Sequence, residues 1–169
     1  MSRPDALPRW RGTDLDDPVE IAEMVRRFYS DVAQDEVLGP MFNDVAHVDW
    51  SEHIPKLAAF WCRALLSMPG YEGNPYRAHL LIHARRPFTR QHFERWLDLF
   101  HETLDLGWEG PNVERAKMLA RKVAMVHSKQ LIGDTVDYGA VDELAEVTEM
   151  AETPADQVCA PVDLLQVRQ

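Results

Sequence analysis

The histidines of this sequence are the first candidates for chemistry, because two of them have a spacing that suits metal binding. His79 and His83 lie one helical turn apart in an HxxxH pattern, a spacing that can bind zinc. No glutamate follows the first histidine as the HExxH motif requires, and Cys62 and Cys159 lie far apart, outside any CxxC pair. The sequence therefore disfavours a zinc site and leaves other uses of these histidines open.

Aromatic residues with a polar end offer a second kind of site. Tyr29 and Trp96 lie in apolar stripes of two different helical segments, and His79 follows Pro75 in a short one. Such a chamber suits haem, whose iron takes one neutral imidazole on one side and hydrogen-bond donors for a diatomic ligand on the other. Taken alone, the spacing of Tyr29 and Trp96 favours ordinary core aromatics with a polar end.

The remaining histidines carry no such context. His47, His92, His101 and His127 lack a partner motif, so we predict ordinary surface or hydrogen-bonded roles for them.

The apolar periodicity predicts an all-α domain of amphipathic helices. Asp17 and Pro18 begin the first helix, with Glu20 completing an Asp-x-x-Glu capping box, and Gly39-Pro40 ends it. In the second helix, which Asp49 begins and which runs to about Leu66, His53 projects beside Leu57 and Trp61. Further helices are expected after Pro75, from Thr89 to Gly107, and from Pro111 to Gly133.

Charge divides the chain of 169 residues into unequal parts. The chain has 18 basic and 28 acidic residues, and nine of those acids lie in the last 36 residues beside one base, Arg168. This acidic balance argues against nucleic acid or an anionic membrane surface as the main partner. We predict a lead-in over residues 1–16, a domain over 17–133 and an acidic extension over 134–169. The extension would bind back on the domain, form a homodimer contact, recruit a basic partner or remain a solvated tail.

The sequence has no run of about eighteen uncharged apolar residues, so we expect no membrane span. Its first residues lack the apolar region of a secretory signal. A cytoplasmic location is the simplest expectation.

A series of short motifs gives the strongest signal. In chain order they are Phe28-Tyr29, Leu38-Gly39-Pro40-Met41-Phe42-Asn43, Asp49-Trp50 with His53, Phe60-Trp61, Tyr71-Glu72-Gly73-Asn74-Pro75 with His79, and His92-Phe93-Glu94-Arg95-Trp96-Leu97. In this order and spacing the sequence resembles the group III truncated haemoglobins, from about Val19 to Leu131. The resemblance implies a truncated globin-like two-over-two helical sandwich around haem b.

The resemblance also implies roles for individual residues. Tyr29 matches the distal tyrosine, His53 the distal position of the next long helix, and Trp96 the tryptophan of a later helix. Leu57 would form an apolar distal wall, and Phe42 would wedge the haem. The full set expected to bind the cofactor is Tyr29, Phe42, His53, Leu57, Trp61, His79, Phe93 and Trp96.

Two histidines compete for the iron. Counting forward from the Gly-Asn-Pro turn, His79 matches the Pro-x-x-x-His of the family, whereas counting backward from Trp96 favours His83. We favour His79, because four extra residues are accommodated more easily in the connection that follows than inside a short helix that carries the ligand. His83 is the alternative ligand.

The implied function is binding of O₂, NO and CO at a five-coordinate iron, for oxygen transport or for tight ligand holding by polar donors. His53 would act as a donor, a gate or a sixth ligand. NO dioxygenase or peroxidase-like turnover would require an external reductase, because no flavin or nicotinamide motif is present in the sequence. The alternative is a haem-free helical structural protein.

Overall fold

The computed structural model of the protein describes residues 12–73 and 75–136, and all regular structure in these ranges is helical. The elements are α1 (Pro18–Gln34), a π-helix (Met41–Val45), α2 (Trp50–Leu66), α3 (Pro75–Arg85), α4 (Arg90–Gly107) and α5 (Pro111–Ile132). The predicted all-α class is confirmed.

Helix starts follow the side chains that the sequence offers. The Asp17 carboxylate accepts the Val19 N–H at 2.7 Å, and the Asp49 carboxylate accepts the Ser51 N–H at 3.0 Å. Glu20 differs from the expected capping role. Its carboxylate is buried and accepts the indole N–H of Trp108 at 2.8 Å, which ties the first turn of α1 to the end of α4.

The first helix is shorter than predicted, because Asp35 turns the chain. Its Oδ1 accepts the N–H groups of Val37 and Leu38, both at 3.0 Å, while its Oδ2 accepts Nε of Arg95 at 2.7 Å. The prediction that α1 continues to Gly39-Pro40 was therefore wrong. The residues beyond this turn form the π-helix, which the periodicity did not indicate and which buries Phe42.

Two helix pairs build the domain. Helix α1 packs against α2, α4 packs against α5, and α1 also packs against α4, so the two pairs form the expected two-over-two sandwich. The short α3 lies against α5. The largest side chains that are almost completely removed from solvent come from three of the long helices: Phe28, Tyr29, Trp61 and Phe100.

Part of the predicted lead-in belongs to the core. Leu15 is fully buried, and the Asp14 carboxylate accepts the N–H groups of Asn112 and Val113 at 3.1 and 3.0 Å, where α5 begins. Residues 1–11 of the lead-in and residues 137–169 of the acidic extension lie outside the described residues.

Candidate functional site

A largely apolar cavity opens between the π-helix, α3, α4 and α5. It encloses about 510 Å³, part of which is open to solvent. Cofactor pockets commonly carry a few polar groups on apolar walls. The lining residues are Leu38, Met41, Phe42, His79, Phe88, His92, Phe93, Trp96, Val123, Ala124 and His127.

The structure brings half of the predicted site residues onto this cavity. Phe42, His79, Phe93 and Trp96 line it. The other four, which are Tyr29, His53, Leu57 and Trp61, are buried in α1 and α2 and do not form its wall.

Tyr29 lies directly behind the cavity wall. Its ring centroid is 6.0 Å from that of Phe42 and 4.6 Å from that of Phe28, and the residue is 1% exposed. Burial raises the pKa of its hydroxyl well above the ordinary value, although the nearby Trp96 side chain opposes this rise. The hydroxyl has no hydrogen bond of ordinary geometry to any described residue, so it remains a buried neutral donor.

His53 is the second buried polar group in this region. Its ring centroid lies 6.1 Å from that of Tyr29 and 5.9 Å from that of Trp50, with the rings nearly perpendicular. Burial, together with the positive charge of Lys56, lowers the pKa of His53 to about 4. Its Nε2 atom has no hydrogen-bond partner among the described residues. His53 is therefore neutral at physiological pH.

Trp96 connects the cavity wall to the core. Its ring stacks on Phe100 with centroids 5.5 Å apart and an interplanar angle of 6°. Phe100 stacks in turn on Trp61, with centroids 4.9 Å apart. Trp61 thus supports the cavity wall through Phe100 and takes no direct part in it.

The two candidate metal-ligating histidines occupy different surroundings. His79 lines the cavity, with its ring centroid 5.1 Å from that of His127 and 5.8 Å from that of Phe88. His83 is not part of the lining, and its Nδ1 accepts the backbone N–H of Phe88 at 3.0 Å. His83 thus helps to hold the connection between α3 and α4.

Two histidines of the cavity wall were missed by sequence reasoning, which gave His92 and His127 ordinary roles. The Nδ1 of His92 accepts the Thr89 N–H at 2.9 Å, so His92 also stabilises the start of α4. His127 is 3% exposed, and its Nδ1 lies 2.9 Å from the Val123 carbonyl oxygen, to which it must donate. Its position in the apolar stripe of α5 was the available signal.

Comparisons with known proteins agree with this arrangement. The model of the bacterial-like globin family matches residues 17–128. The group 3 truncated hemoglobin ctb of Campylobacter jejuni is 38% identical over 107 residues, which are 59% of this chain and 82% of that protein. The chain therefore belongs to the bacterial-like globins, in the group of the truncated haemoglobins of group III.

A solved structure supports the same assignment. The crystal structure of the group III truncated hemoglobin from Campylobacter jejuni matches with a TM-score of 0.64 and 30% sequence identity. The match covers 76% of this chain and 98% of that chain. This globin is thus a haem-binding protein of the two-over-two fold, and binding of diatomic gases is the property that its family implies.

The residues of the cavity fit a haem group. The imidazole of His79 stands on a largely apolar wall, which also carries those of His92 and His127, and unpartnered polar atoms of Tyr29 and His53 lie nearby. Haem needs this combination of an axial nitrogen, an apolar surrounding and a few distal donors. Among the described residues of the globin, no helix is both long and apolar enough to cross a membrane.

The low pKa of His53 predicts a specific pH dependence of stability. As the pH falls from 7 to 5, His53 in the unfolded chain, with its ordinary pKa of 6.5, becomes protonated, whereas His53 in the folded protein stays mostly neutral. This residue therefore lowers the free energy of unfolding by about 2 kcal/mol over that pH interval. In the His53→Leu variant, urea unfolding of the haem-free protein should show a fall in the free energy of unfolding between pH 7 and 5 that is smaller by this amount. An equal fall in both proteins would contradict the neutral, buried state of His53.

Proposed function

We propose that this globin binds O₂, and also NO and CO, tightly at haem iron, which His79 would hold, while Tyr29, His53 and Trp96 would serve as the polar groups near the bound gas. The observation that carries the proposal is the position of His79 on the wall of the apolar cavity, with Trp96 on the same cavity. Haem iron, when bound, supplies the coordination bond to the gas.

His79 is supported against His83 by the surroundings of the two rings. A ligand to haem iron must reach the cavity with one nitrogen, and His79 is the one of the two that lines it. The ring of His83 stacks on Phe88 while its Nδ1 accepts the backbone N–H of that residue. His83 therefore has a structural use in the connection between the helices.

The haem is proposed to be haem b. Covalent attachment needs a Cys-x-x-Cys-His motif, and neither Cys62 nor Cys159 belongs to one. Retention then depends on the axial imidazole and on the apolar walls.

The distal donors explain tight binding. A buried hydroxyl or imidazole without a partner costs about 1–3 kcal/mol, so the Tyr29 hydroxyl and His53 Nε2 gain from any acceptor that reaches them. Polarised diatomic ligands supply such an acceptor, and each hydrogen bond to a charged acceptor contributes about 1.5–3 kcal/mol. Because about 1.4 kcal/mol is a factor of ten, one donor slows ligand escape by about tenfold or more.

The donors can be tested by substitutions that remove the polar hydrogen and keep an aromatic ring at each position. Tyr29→Phe combined with Trp96→Phe should raise the O₂ dissociation rate by at least about tenfold, measured by stopped-flow replacement with CO. Trp50→Phe is the matched control, because its indole N–H faces the Asn43 side chain at 3.4 Å while its ring lies beside Tyr29. Unchanged dissociation in the double variant would overturn the proposed role of the donors.

The axial ligand can be tested by two single substitutions. His79→Ala should abolish the five-coordinate ferrous absorption spectrum, and added imidazole should restore it. His83→Ala should keep the spectrum of the unmodified protein, because His83 lies off the cavity. The opposite result, with the spectrum lost only in His83→Ala, would identify His83 as the ligand.

A further inference from the structure

Helix α3 turns a basic and apolar surface away from the domain. Its inner residues Ala78 and Ile82 are buried, whereas Leu80 and Leu81 are 45% and 46% exposed. Exposed arginines flank these leucines at helical spacing and just beyond the helix. We call this surface the α3 outer face and define it as Arg77, Leu80, Leu81, Arg85 and Arg86.

Positive charge is concentrated around this face. Between Pro75 and Arg90 the sequence has four arginines and no acidic residue, in a chain that is acidic as a whole. Arg85 and Arg86 form no ion pair with any residue in the described part of the chain. Two exposed leucines beside such arginines match a partner that is both acidic and apolar.

The end of the described chain is held at the first residue of α4, which follows this face in the sequence. After α5, the Nη1 group of Arg90 donates to the Asp134 carboxylate at 2.8 Å and to the Thr135 carbonyl oxygen at 3.2 Å. Val136 is 3% exposed, and its N–H donates to Ser128 at 3.1 Å. Arg90 follows Arg86 by four residues, so this contact ties the end of the described chain to the segment that directly follows the outer face.

The sequence that continues from this point has the complementary chemistry. Residues 137–169 contain eight acidic residues and one base. Val141, Leu144 and Ala145 occur at helical spacing among Asp142 and Glu143. An extended chain spans ~3.3–3.6 Å per residue, and α3 is about 16 Å long. Residues 137–169 are therefore long enough to reach the whole of α3.

We propose that residues 137–169 bind the α3 outer face of their own chain. The acidic side chains neutralise Arg85 and Arg86, while the apolar side chains cover Leu80 and Leu81. The contact holds the helix that carries His79 against the domain and weakens as salt screens the charges. This interaction stands on charge and exposure alone and does not depend on the proposed function.

Hydrogen exchange of the full-length protein tests the contact. In a variant with Asp142→Asn, Glu143→Gln, Glu146→Gln and Glu149→Gln, the amides of residues 80–86 should exchange about tenfold faster than in the unmodified chain at low salt. The unmodified chain should approach the rate of the variant at high salt. Exchange of α5 amides reports whether the variant remains folded, and equal rates in α3 would overturn the proposal.

Charge reversal on the α3 outer face tests the same contact from its basic side. The double variant Arg85→Glu, Arg86→Glu should accelerate hydrogen exchange in α3 as much as the variant with four neutralised acidic residues does. A protein that carries all six substitutions should exchange no faster than either variant alone. Arg115→Glu with Lys122→Glu, on α5, is the matched control and should leave α3 protected. Additive effects would overturn the proposal, as would protection that grows with protein concentration, since that result assigns the face to a second copy of the chain.

Discussion

A stack of three aromatic rings holds the two halves of this globin in the arrangement that the cavity requires. Trp61 of α2, Phe100 of α4 and Trp96 of α4 lie in nearly parallel planes, and Trp96 forms the cavity wall. Each pair of this kind contributes about 0.5–1.5 kcal/mol beyond its buried area. Phe28 of α1 joins the stack edge-on, so three of the long helices meet at one point. The opening for the cofactor is therefore bounded by a rigid core.

The polar groups near this core are costly in the absence of a ligand. The Tyr29 hydroxyl and Nε2 of His53 and His127 are buried without hydrogen-bond partners among the described residues. Burial also lowers the pKa of both histidines, so each stays neutral. Each unsatisfied buried group requires an explanation, and a bound ligand that supplies its hydrogen-bond partner is one. The same groups that weaken the fold thus supply the proposed specificity.

Local signals predicted the helices and much of the burial, whereas distant contacts determined the rest. Asp17 and Asp49 cap their helices as expected, and the apolar stripe of α2 predicted the burial of Leu57 and Trp61. The end of α1 could not be predicted, because Asp35 is held by Arg95, sixty residues later. Likewise Glu20 bonds to Trp108, and His127 reaches the cavity only because α5 lies opposite α3. The placement of Tyr29 behind the wall also depended on packing that no motif describes.

The proposed function requires that His79 and the apolar cavity bind haem and leave a position open for a gas. Absorption spectra of the purified protein, reconstituted with hemin and recorded in the ferric, ferrous and CO-bound forms, test it most directly. We expect a Soret band, a five-coordinate ferrous spectrum and a clear change on addition of CO. Protein that shows no Soret band after addition of hemin would contradict it.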